Sequence, residues 1–404
     1  GSQRHEGELM SQTAEGTTRG PVRVRAADHG LGHRQFVRLP YALYRRDPLW
    51  IPPLRLEEWH RWSRRHNASL GTRWVRRFVA MRDGQVTGRI ATIVDPAFAQ
   101  CWEAHTALFG FFECANDVES ATALLTAAEA AAGSRGMRRL LGPVNLTPHD
   151  ETGILMEGFD SPATIQSPYN PPYYRRLLES AGYRVARQYY AYSATPDDPP
   201  TPAIRRLVRS AARGTGLAAG VTIRSVDLGR WVDEARTLWR MYNAAFAHVW
   251  GFVPITWEEF YQRARRLKAF AEPELIRIAE FAGEPVGFGL TLPDLNEALR
   301  SIDGRLLPFG WWRLRQAVPR IRTVRFLMLG VVPEHRGRGI GPLIAYETQQ
   351  AARRLGMARL DLSLVQTTNA LVQRVIDGFG SPVAKVYGLF ARSLAGTDEH
   401  VAVA

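Results

Sequence analysis

Three glycines at alternate positions give one segment of the sequence the composition of an anion-binding loop. The segment consists of Arg336, Gly337, Arg338, Gly339, Ile340 and Gly341. Glycine lets the backbone come close to a ligand because no Cβ stands in the way, and the guanidinium group of arginine pairs well with phosphate. The segment therefore predicts a loop that binds a phosphate or pyrophosphate group, although a plain surface turn can have the same composition.

The elements on either side of this loop favour anion binding. Residues 322–332 are rich in branched and aromatic side chains, which predicts a strand. Residues 340–355 carry apolar side chains at helical spacing. The loop would then stand at the N-terminus of a helix, where free N–H groups and the helix dipole attract anions. No Gly-Lys-Ser/Thr follows, so a P-loop is excluded, and the spacing is not that of the dinucleotide fingerprint.

The loop resembles motif A of the GCN5-related N-acetyltransferase (GNAT) superfamily, which reads Arg/Gln-x-x-Gly-x-Gly/Ala. Arg336, Gly339 and Gly341 fill its three defined places, and the preceding Val-Val-Pro-Glu at 331–334 is also similar to that family. The resemblance implies an α/β (mixed α+β) fold, with a twisted mixed sheet flanked by helices. It also implies acyl-coenzyme A as co-substrate, with its pyrophosphate on residues 336–341, and no metal ion.

In GNAT proteins the strand before this loop separates from its neighbour and pairs with the pantetheine arm of the cofactor. The residues that would line the pantetheine here are Leu329, Val331 and Val332. Asn369 matches an asparagine that lies near the cofactor in many members of the family. Where many GNATs have a tyrosine that protonates the departing thiolate, this sequence has Ile376. Tyr387 is the nearest substitute, or else a core tyrosine.

Acyl transfer from a thioester to an amine requires a base that takes a proton from the amine and backbone donors that stabilise the oxyanion. The candidate bases are Asp294, His248, Glu280 and His149. Asp294 ends a predicted hairpin strand, near where a GNAT acceptor would enter, but an aspartate at this place is also typical of a turn cap. His248 ends a predicted helix, where a packing or C-capping histidine is the alternative.

Two pairs of similar segments suggest an internal duplication. Predicted hairpins at 74–95 and 275–294 share their glycine spacing, and helix–glycine–strand segments at 173–192 and 371–390 also match. The offset is close to 199 residues in both pairs. We therefore expect two GNAT-like domains in tandem, although two generic α/β patterns could also match by chance.

The proline-rich segment 193–202 predicts a linker between the two domains. The expected divisions are a cloning remnant and disordered tail at 1–20, a degenerate GNAT-like domain at 21–192, an acyl-CoA-binding domain at 203–395 and a tail at 396–404.

The first half lacks the glycine loop. At the corresponding strand-to-helix junction, Glu113 and Asp117 would repel phosphate, so we expect no coenzyme A there. The long polar and aromatic stretch 142–174 predicts either a substrate pocket or a packed surface between the domains. Together with two segments of the second half, it supplies the substrate-binding candidates Asn145, His149, Tyr169, Tyr173, Trp250 and Asn296.

The net charge of +13 admits nucleic acid, an anionic membrane or a phosphorylated cofactor as partner. Nucleic acid is unfavoured because the arginines are spread along the chain and no reader motif is found.

Two cysteines exclude a disulfide framework. No run of 18 apolar residues predicts a membrane-spanning helix. The Trp-, Leu- and Arg-rich segment 304–325 predicts a peripheral membrane contact or a helical insertion, so the expected location is cytoplasmic or peripheral at the inner membrane.

Residues 142–174, 242–260, 292–296 and 304–312 resemble a bacterial family of tandem GNAT proteins that includes or borders the bacterial ceramide synthases. This resemblance implies an acyl-CoA-dependent N-acyltransferase that transfers a long-chain acyl group to a lipid-like amine such as a sphingoid base. Two alternatives stay open. One is an N-acetyltransferase that acts on a small-molecule or peptide amine, and the other is a non-catalytic acyl-CoA sensor.

Overall fold

The computed structural model describes residues 20–394. The strands are β1 (Arg23–Ala26), β2 (Trp74–Arg82), β3 (Gln85–Val94), β4 (Thr106–Cys114), β5 (Arg139–Gly142), β6 (Ile154–Glu157), β7 (Arg184–Ala194), β8 (Val221–Ser225), β9 (Ile276–Phe281), β10 (Glu284–Pro293), β11 (Thr323–Val331), β12 (Arg359–Gln366) and β13 (Val383–Ser393). The helices are α1 (Gly30–Leu43), α2 (Arg55–His60), α3 (Pro96–Cys101), α4 (Val118–Gly133), α5 (Tyr174–Ser180), α6 (Pro202–Ala212), α7 (Trp231–Phe246), α8 (Trp257–Leu267), α9 (Leu295–Leu299), α10 (Gly310–Ala317), α11 (Ile340–Arg354) and α12 (Ala370–Asp377).

One mixed sheet runs through both halves of the chain. Its order is β1-β2-β3-β4-β5-β13-β7-β12-β11-β10-β9-β8, and β6 pairs with β13 beside this path. The pairs β4–β5 and β11–β12 are parallel, whereas the hairpins β2–β3 and β9–β10 are antiparallel. The predicted fold class, a mixed sheet flanked by helices, is confirmed.

The two halves repeat the same local structure. The hairpins turn at Gly84 and Gly283, whose φ angles of 76° and 83° lie in the left-handed region that favours glycine. After the second strand of each hairpin, an aspartate caps a short helix. Asp95 accepts hydrogen bonds at the start of α3, and Asp294 does so at the start of α9. These equivalent positions agree with the predicted offset.

The last strand of each half is exchanged with the other half. β7 lies between β13 and β12, and β13 lies between β5 and β7. β7 also continues to Ala194, inside the segment predicted as a linker. The linker at 193–202 stays a prediction, because β7 and β13 each pair with strands of the opposite half. The predicted tails at 1–20 and 396–404 lie outside the described residues, apart from Gly20.

Helix α11 is held on the sheet by a close apolar contact. Ile340 and Ile344 are fully or almost fully buried, and burial of such a side chain contributes about 1.5–3 kcal/mol. The helix can approach the strand this closely only where the strand has no side chain at the point of contact. A Cβ on Gly289 of β10 would stand 2.6 Å from Ile344 Cγ2, which explains a glycine there. This contact fixes the start of α11 relative to β11.

Candidate active site

The glycine loop connects β11 to α11, as the sequence predicts. A single 3-10 turn at Pro333–His335 follows β11. Gly337 and Gly339 then have φ angles of 79° and 74°, a region that costs other residues about 1–2 kcal/mol. Gly339 is the N-cap of α11, and its carbonyl accepts the N–H of Leu343 at 3.2 Å. The alternating glycines are therefore required by the backbone path of the loop.

The loop has the donors that an anion needs. Its five backbone N–H groups at 337–341 donate no hydrogen bond to any residue within 20–394. Free N–H groups at a helix N-terminus are a general anion-binding arrangement.

The two arginines of the loop have different positions. The Arg336 guanidinium donates to the carbonyls of Ala245 at 2.7 Å and Val331 at 3.3 Å, so it ties the loop to α7. Arg338 is exposed and stacks over the ring of Phe281, 4.7 Å from its centroid. Arg338 is therefore the arginine that remains available to a ligand from the solvent side.

Strands β11 and β12 separate beside this loop. They pair only from Thr323 to Phe326 on β11, whereas β11 stays paired with β10 as far as Val331. From Leu327 onward, the β11 edge that faces β12 has no strand partner. The gap has the shape that the GNAT resemblance implies for the pantetheine arm.

This gap opens into a cavity of about 290 Å³, which we call the central cavity. Leu327 and Leu329 of β11 form one wall. The first half contributes Phe98, Val144 and Tyr189. Both halves therefore build the cavity, and most of its wall is apolar. The polar side chains on its wall include His149, Asp150, Gln166, Arg325, Gln366 and Asn369.

A second, more polar cavity of about 400 Å³ adjoins the central one, and we call it the polar cavity. It is lined by residues of α2, the 143–170 stretch, α8 and α9. Asp150 and Gln166 belong to the walls of both cavities. Gln166 has a φ angle of 60°, which is uncommon for a residue other than glycine. The two cavities therefore meet at these two side chains.

Asp150 is held as a carboxylate at this meeting point. Arg263 Nη1 lies 2.6 Å from Asp150 Oδ1, and the Thr147 hydroxyl donates to Oδ2 at 2.8 Å. Burial alone would raise the pKa of Asp150, but Arg263 outweighs burial and keeps the pKa below its usual value. Its neighbour His149 contacts the hydroxyl of Tyr242 through Nδ1 at 2.9 Å. Burial and the charge of Arg263 lower the pKa of His149 to about 3, so the ring is neutral at pH 7.

In the first half, the chain itself fills the gap that corresponds to the central cavity. β4 pairs with β5 only over Thr106–Leu108. Beyond that point, the Val144 N–H donates to the Phe109 carbonyl, and the Phe111 N–H donates to the Asn145 side chain, each at 2.7 Å. This packing supports the expectation that no coenzyme A binds there.

The hydrogen bonds of Asp294 hold two backbone segments together. It accepts the N–H groups of Asn296 at 3.2 Å and Ile165 at 2.8 Å, and it lines neither cavity. Burial raises its pKa to about 6 despite these hydrogen bonds. Asp95 at the equivalent place caps its helix in the same way. The turn-capping alternative therefore describes its environment.

The other candidate catalytic residues also lie away from the cavity walls, except His149. His248 is exposed beyond the end of α7. Tyr387 is 1% exposed within the core around β13. Glu280 pairs with Arg224 at 2.6 Å. Ile376, at the place of the usual tyrosine, does line the central cavity.

Seven of the predicted binding residues line one of the two cavities. Leu329, Asn369, His149 and Trp250 line the central cavity. Asn145, Tyr169 and Asn296 line the polar cavity.

The predicted binding residues of the glycine loop line neither cavity, and the same is true of Val331, Val332 and Tyr173. Val331 pairs with Gly287, and the Val332 N–H donates to the Val286 carbonyl at 3.0 Å. Tyr173 donates to the Cys114 carbonyl at 2.9 Å.

Sequence reasoning assigned no role to Asp150, Gln166 or Arg263. The only available signal was the position of Asp150 beside His149 in a polar stretch. Its partner Arg263 is distant in sequence, in the other half of the chain.

Comparison with known proteins identifies the family. The model of the Acetyltransferase (GNAT) family matches residues 237–380. A protein of Escherichia coli (strain K12) named "Protein YghO" is 32% identical over 370 residues, which cover 89% of this chain and 93% of that protein. The chain belongs to the GNAT superfamily. The matched part of this GNAT chain includes β11, the glycine loop and α12.

Further relatives extend the likeness to most of this GNAT chain. "Bacterial ceramide synthase" of Caulobacter vibrioides is 31% identical over 371 residues, 89% of this chain and 94% of that protein. A solved tandem GNAT protein from the clavulanic acid biosynthesis pathway has a TM-score of 0.55 at 13% identity and covers 94% of this chain and all of its own. A GNAT structure from Sphaerobacter thermophilus has a TM-score of 0.51 at 16% identity, covering 92% and 96%. The tandem arrangement is therefore shared in fold.

Two features are absent from the part of the chain that the structure describes. Between residues 20 and 394, no helix combines the length and the apolar composition that crossing a bilayer requires. In the same range, no group of three or more histidine, cysteine or acidic side chains is arranged to hold a metal ion.

Proposed function

We propose that this chain is an acyl-CoA-dependent N-acyltransferase that transfers a long-chain acyl group to a lipid-like amine such as a sphingoid base. The observation that carries the proposal is the gap between β11 and β12. It is bounded by α11, the helix that begins at the glycine loop, and it opens into the largely apolar central cavity. A molecule with phosphate at one end and an acyl chain at the other suits this combination. The printed name of the Caulobacter relative supports the same acceptor class.

The residues of the second half divide the binding of acyl-CoA between them. The free N–H groups at 337–341 hold the pyrophosphate, and Arg338 adds positive charge from solvent. Arg336 acts indirectly, since its guanidinium is used to hold the loop on α7. The unpaired edge of β11 from Leu327 onward offers its backbone to the pantetheine, beside Leu329 and Asn369.

The apolar wall of the central cavity supports a long acyl chain. Each buried CH₂ group contributes about 0.8 kcal/mol to binding, so a long chain gains far more from this wall than an acetyl group does. Phe98 and Val144 bring side chains of the first half into this apolar wall. The first half would therefore contribute to binding of the acyl chain, although it lacks the glycine loop.

The amine must lose a proton during the transfer, and His149 with Asp150 is the pair placed to assist. His149 is neutral at pH 7, so it acts as a hydrogen-bond acceptor for the amine rather than as the final holder of its proton. As the C–N bond forms and the C–S bond breaks, the amine proton passes to the departing sulfur, and coenzyme A leaves as the free thiol. The Asp150 carboxylate stabilises the positive charge that develops on the nitrogen. This assignment replaces Asp294, His248 and Tyr387 as proposed catalytic groups, because none of those three lines the central cavity.

The exposed segment around α10 supports a peripheral membrane contact. The exposed fractions of Leu307, Phe309, Trp311 and Trp312 are 79%, 69%, 53% and 51%. Arginines on the same segment are also exposed. Aromatic, leucine and arginine side chains together are typical of surfaces that bind at the headgroup level of a membrane.

The direct test compares palmitoyl-CoA and acetyl-CoA with the purified full chain, each offered to sphinganine and to a panel of small amines. Release of the free thiol and mass spectrometry of the amide product are measured together. We expect turnover with palmitoyl-CoA and sphinganine. Equal or better turnover of acetyl-CoA with small amines would instead support the N-acetyltransferase alternative.

The sensor alternative rests on Ile376, which lines the cavity where many family members have a tyrosine. It predicts tight palmitoyl-CoA binding in calorimetry without thiol release for any amine. Thiol release that depends on an added amine would exclude it.

A further inference from the structure

We propose that the polar cavity is the binding site of the acceptor, and that it selects a positively charged amine head attached to an apolar chain. The inference rests on the proposed function, because it names the second substrate's site beside the acyl site. Its elements are a cavity of about 400 Å³, an acidic wall, apolar side chains of α9 and α10 on that wall, and a junction with the central cavity.

The wall of the polar cavity is acidic in a strongly basic protein. Six carboxyl groups face four guanidinium groups there, although the whole chain carries a net charge of +13. A local reversal of sign attracts a cation and disfavours a second anionic ligand. A protonated amine therefore suits this wall better than a phosphate.

Glu151 is the carboxylate placed to receive the amine. Arg61 Nη1 stands 3.6 Å from it, while the same arginine lies 3.0 Å from Glu58. The Asn145 side-chain amide donates to Glu151 at 3.0 Å, and the Glu151 side chain is 27% exposed. Asp150, by contrast, is already bound by Arg263 through both oxygens. Glu151 thus retains acceptor capacity on the cavity wall.

The position of Glu151 leads the amine toward the acyl group. Its neighbour in sequence, Asp150, lines both cavities together with Gln166. An acceptor that leaves one proton on the Glu151 carboxylate moves as a neutral amine past Asp150 to the wall of the central cavity, beside His149. The transfer then occurs where the two cavities meet, with the acyl donor and the acceptor entering from different cavities.

A second polar group on this wall also lacks a full set of partners. Arg89 is 5% exposed, and its Nε has no hydrogen-bond partner within the described chain. Arg89 Nη1 donates to the Phe36 carbonyl at 2.9 Å. Arg89 Nη2 also lies 3.7 Å from Glu113, so this guanidinium is committed to the protein, and recognition of the acceptor rests on Glu151.

The apolar chain of the acceptor would enter beside α9 and α10. Leu299 of α9 and Leu314 of α10 line the polar cavity. On α10, Trp311 and Trp312 precede Leu314 by three and two residues and are exposed. An acceptor in a membrane would therefore meet the entrance at the apolar surface of α10, with its polar head directed inward.

The test uses Glu151→Gln, which keeps the shape of the side chain and removes its charge. The matched control is Glu284→Gln, which changes an exposed carboxylate at the start of β10, outside both cavities. With sphinganine as acceptor, we expect the KM for the amine to rise at least tenfold in Glu151→Gln. The Kd for palmitoyl-CoA should stay within twofold in both variants.

A second measurement needs no catalysis, so it separates this proposal from the proposed function. Dodecylamine and uncharged dodecanol are titrated into the full chain by calorimetry. Preferential binding of dodecylamine, lost in Glu151→Gln, supports the acceptor site even if no transfer occurs. Equal binding of the two probes, or amine binding that is unchanged both in Glu151→Gln and in the cavity-narrowing variant Leu299→Trp, would overturn it. Circular dichroism confirms that each variant is folded.

Discussion

Replacement of Gly339 by aspartate tests the glycine loop directly. Gly339 is the N-cap of α11 and lies among the free N–H groups proposed to bind pyrophosphate. Its φ of 74° costs any other residue about 1–2 kcal/mol. A Cβ at this position would lie 2.8 Å from Leu207 Cδ1, the end of a flexible side chain that can move. The folded state therefore tolerates the change at a modest cost.

The charge of the new side chain has a larger effect on coenzyme A binding. Two like charges about 4 Å apart repel by about 1 kcal/mol in water and about 4 kcal/mol near a protein surface. Affinity for coenzyme A should fall between about fivefold and several hundredfold. The helix itself is not weakened, since a negative charge near its N-terminus is favourable.

The matched control is Gly339→Asn, which has the same size, tolerates the left-handed region and carries no charge. Comparing the Kd values of the two variants for coenzyme A by calorimetry isolates the electrostatic contribution of the aspartate to binding. The ratio between them should shrink in 1 M salt, where the screening length is about 3 Å. If both variants bind coenzyme A within twofold of each other at low salt, the pyrophosphate is not held at this loop.

Three further perturbations test other parts of the structure. Val144→Phe should weaken palmitoyl-CoA binding at least tenfold and leave acetyl-CoA binding unchanged, because it narrows the apolar wall; equal loss for both would contradict a long-chain site. In the folded protein Asp294 has a pKa of about 6, above its ordinary 3.8, so its contribution to stability is present below pH 4 and is lost as pH rises through 6. Asp294→Asn should remove up to about 3 kcal/mol of that pH dependence in denaturant titrations. Changing Trp311 and Trp312 to serine should reduce co-sedimentation with anionic vesicles without lowering the melting temperature, and unchanged sedimentation would refute the membrane contact.

The sequence predicted the features whose signals are local. The glycine loop, its flanking strand and helix, and the hairpins at Gly84 and Gly283 depend on neighbouring residues, and each was found where expected. The exchange of β7 and β13 has no local signal, because it depends on pairing between distant strands.

The candidate site was predicted less well, for the same physical reason. Asp150 owes its charge state to Arg263 of the other half, which no spacing rule reveals. Tyr387 is buried because β13 lies beside β6 and β7, a placement that follows from the exchange. The repeat contains one signal for the role of Asp294. Asp95, at the equivalent position, has the same capping role in the half without the loop.

The exchange of the last strands constrains how the chain can fold during synthesis. β13 is the last strand of the described chain to leave the ribosome, yet it lies between β5 and β7. Until it arrives, the first half exposes unpaired edges, which are templates for aggregation. Tandem domains usually fold one after the other as they are made. Here the first half cannot complete its sheet before the second half exists, so nascent chains that stall before Val383 are the ones expected to require a chaperone.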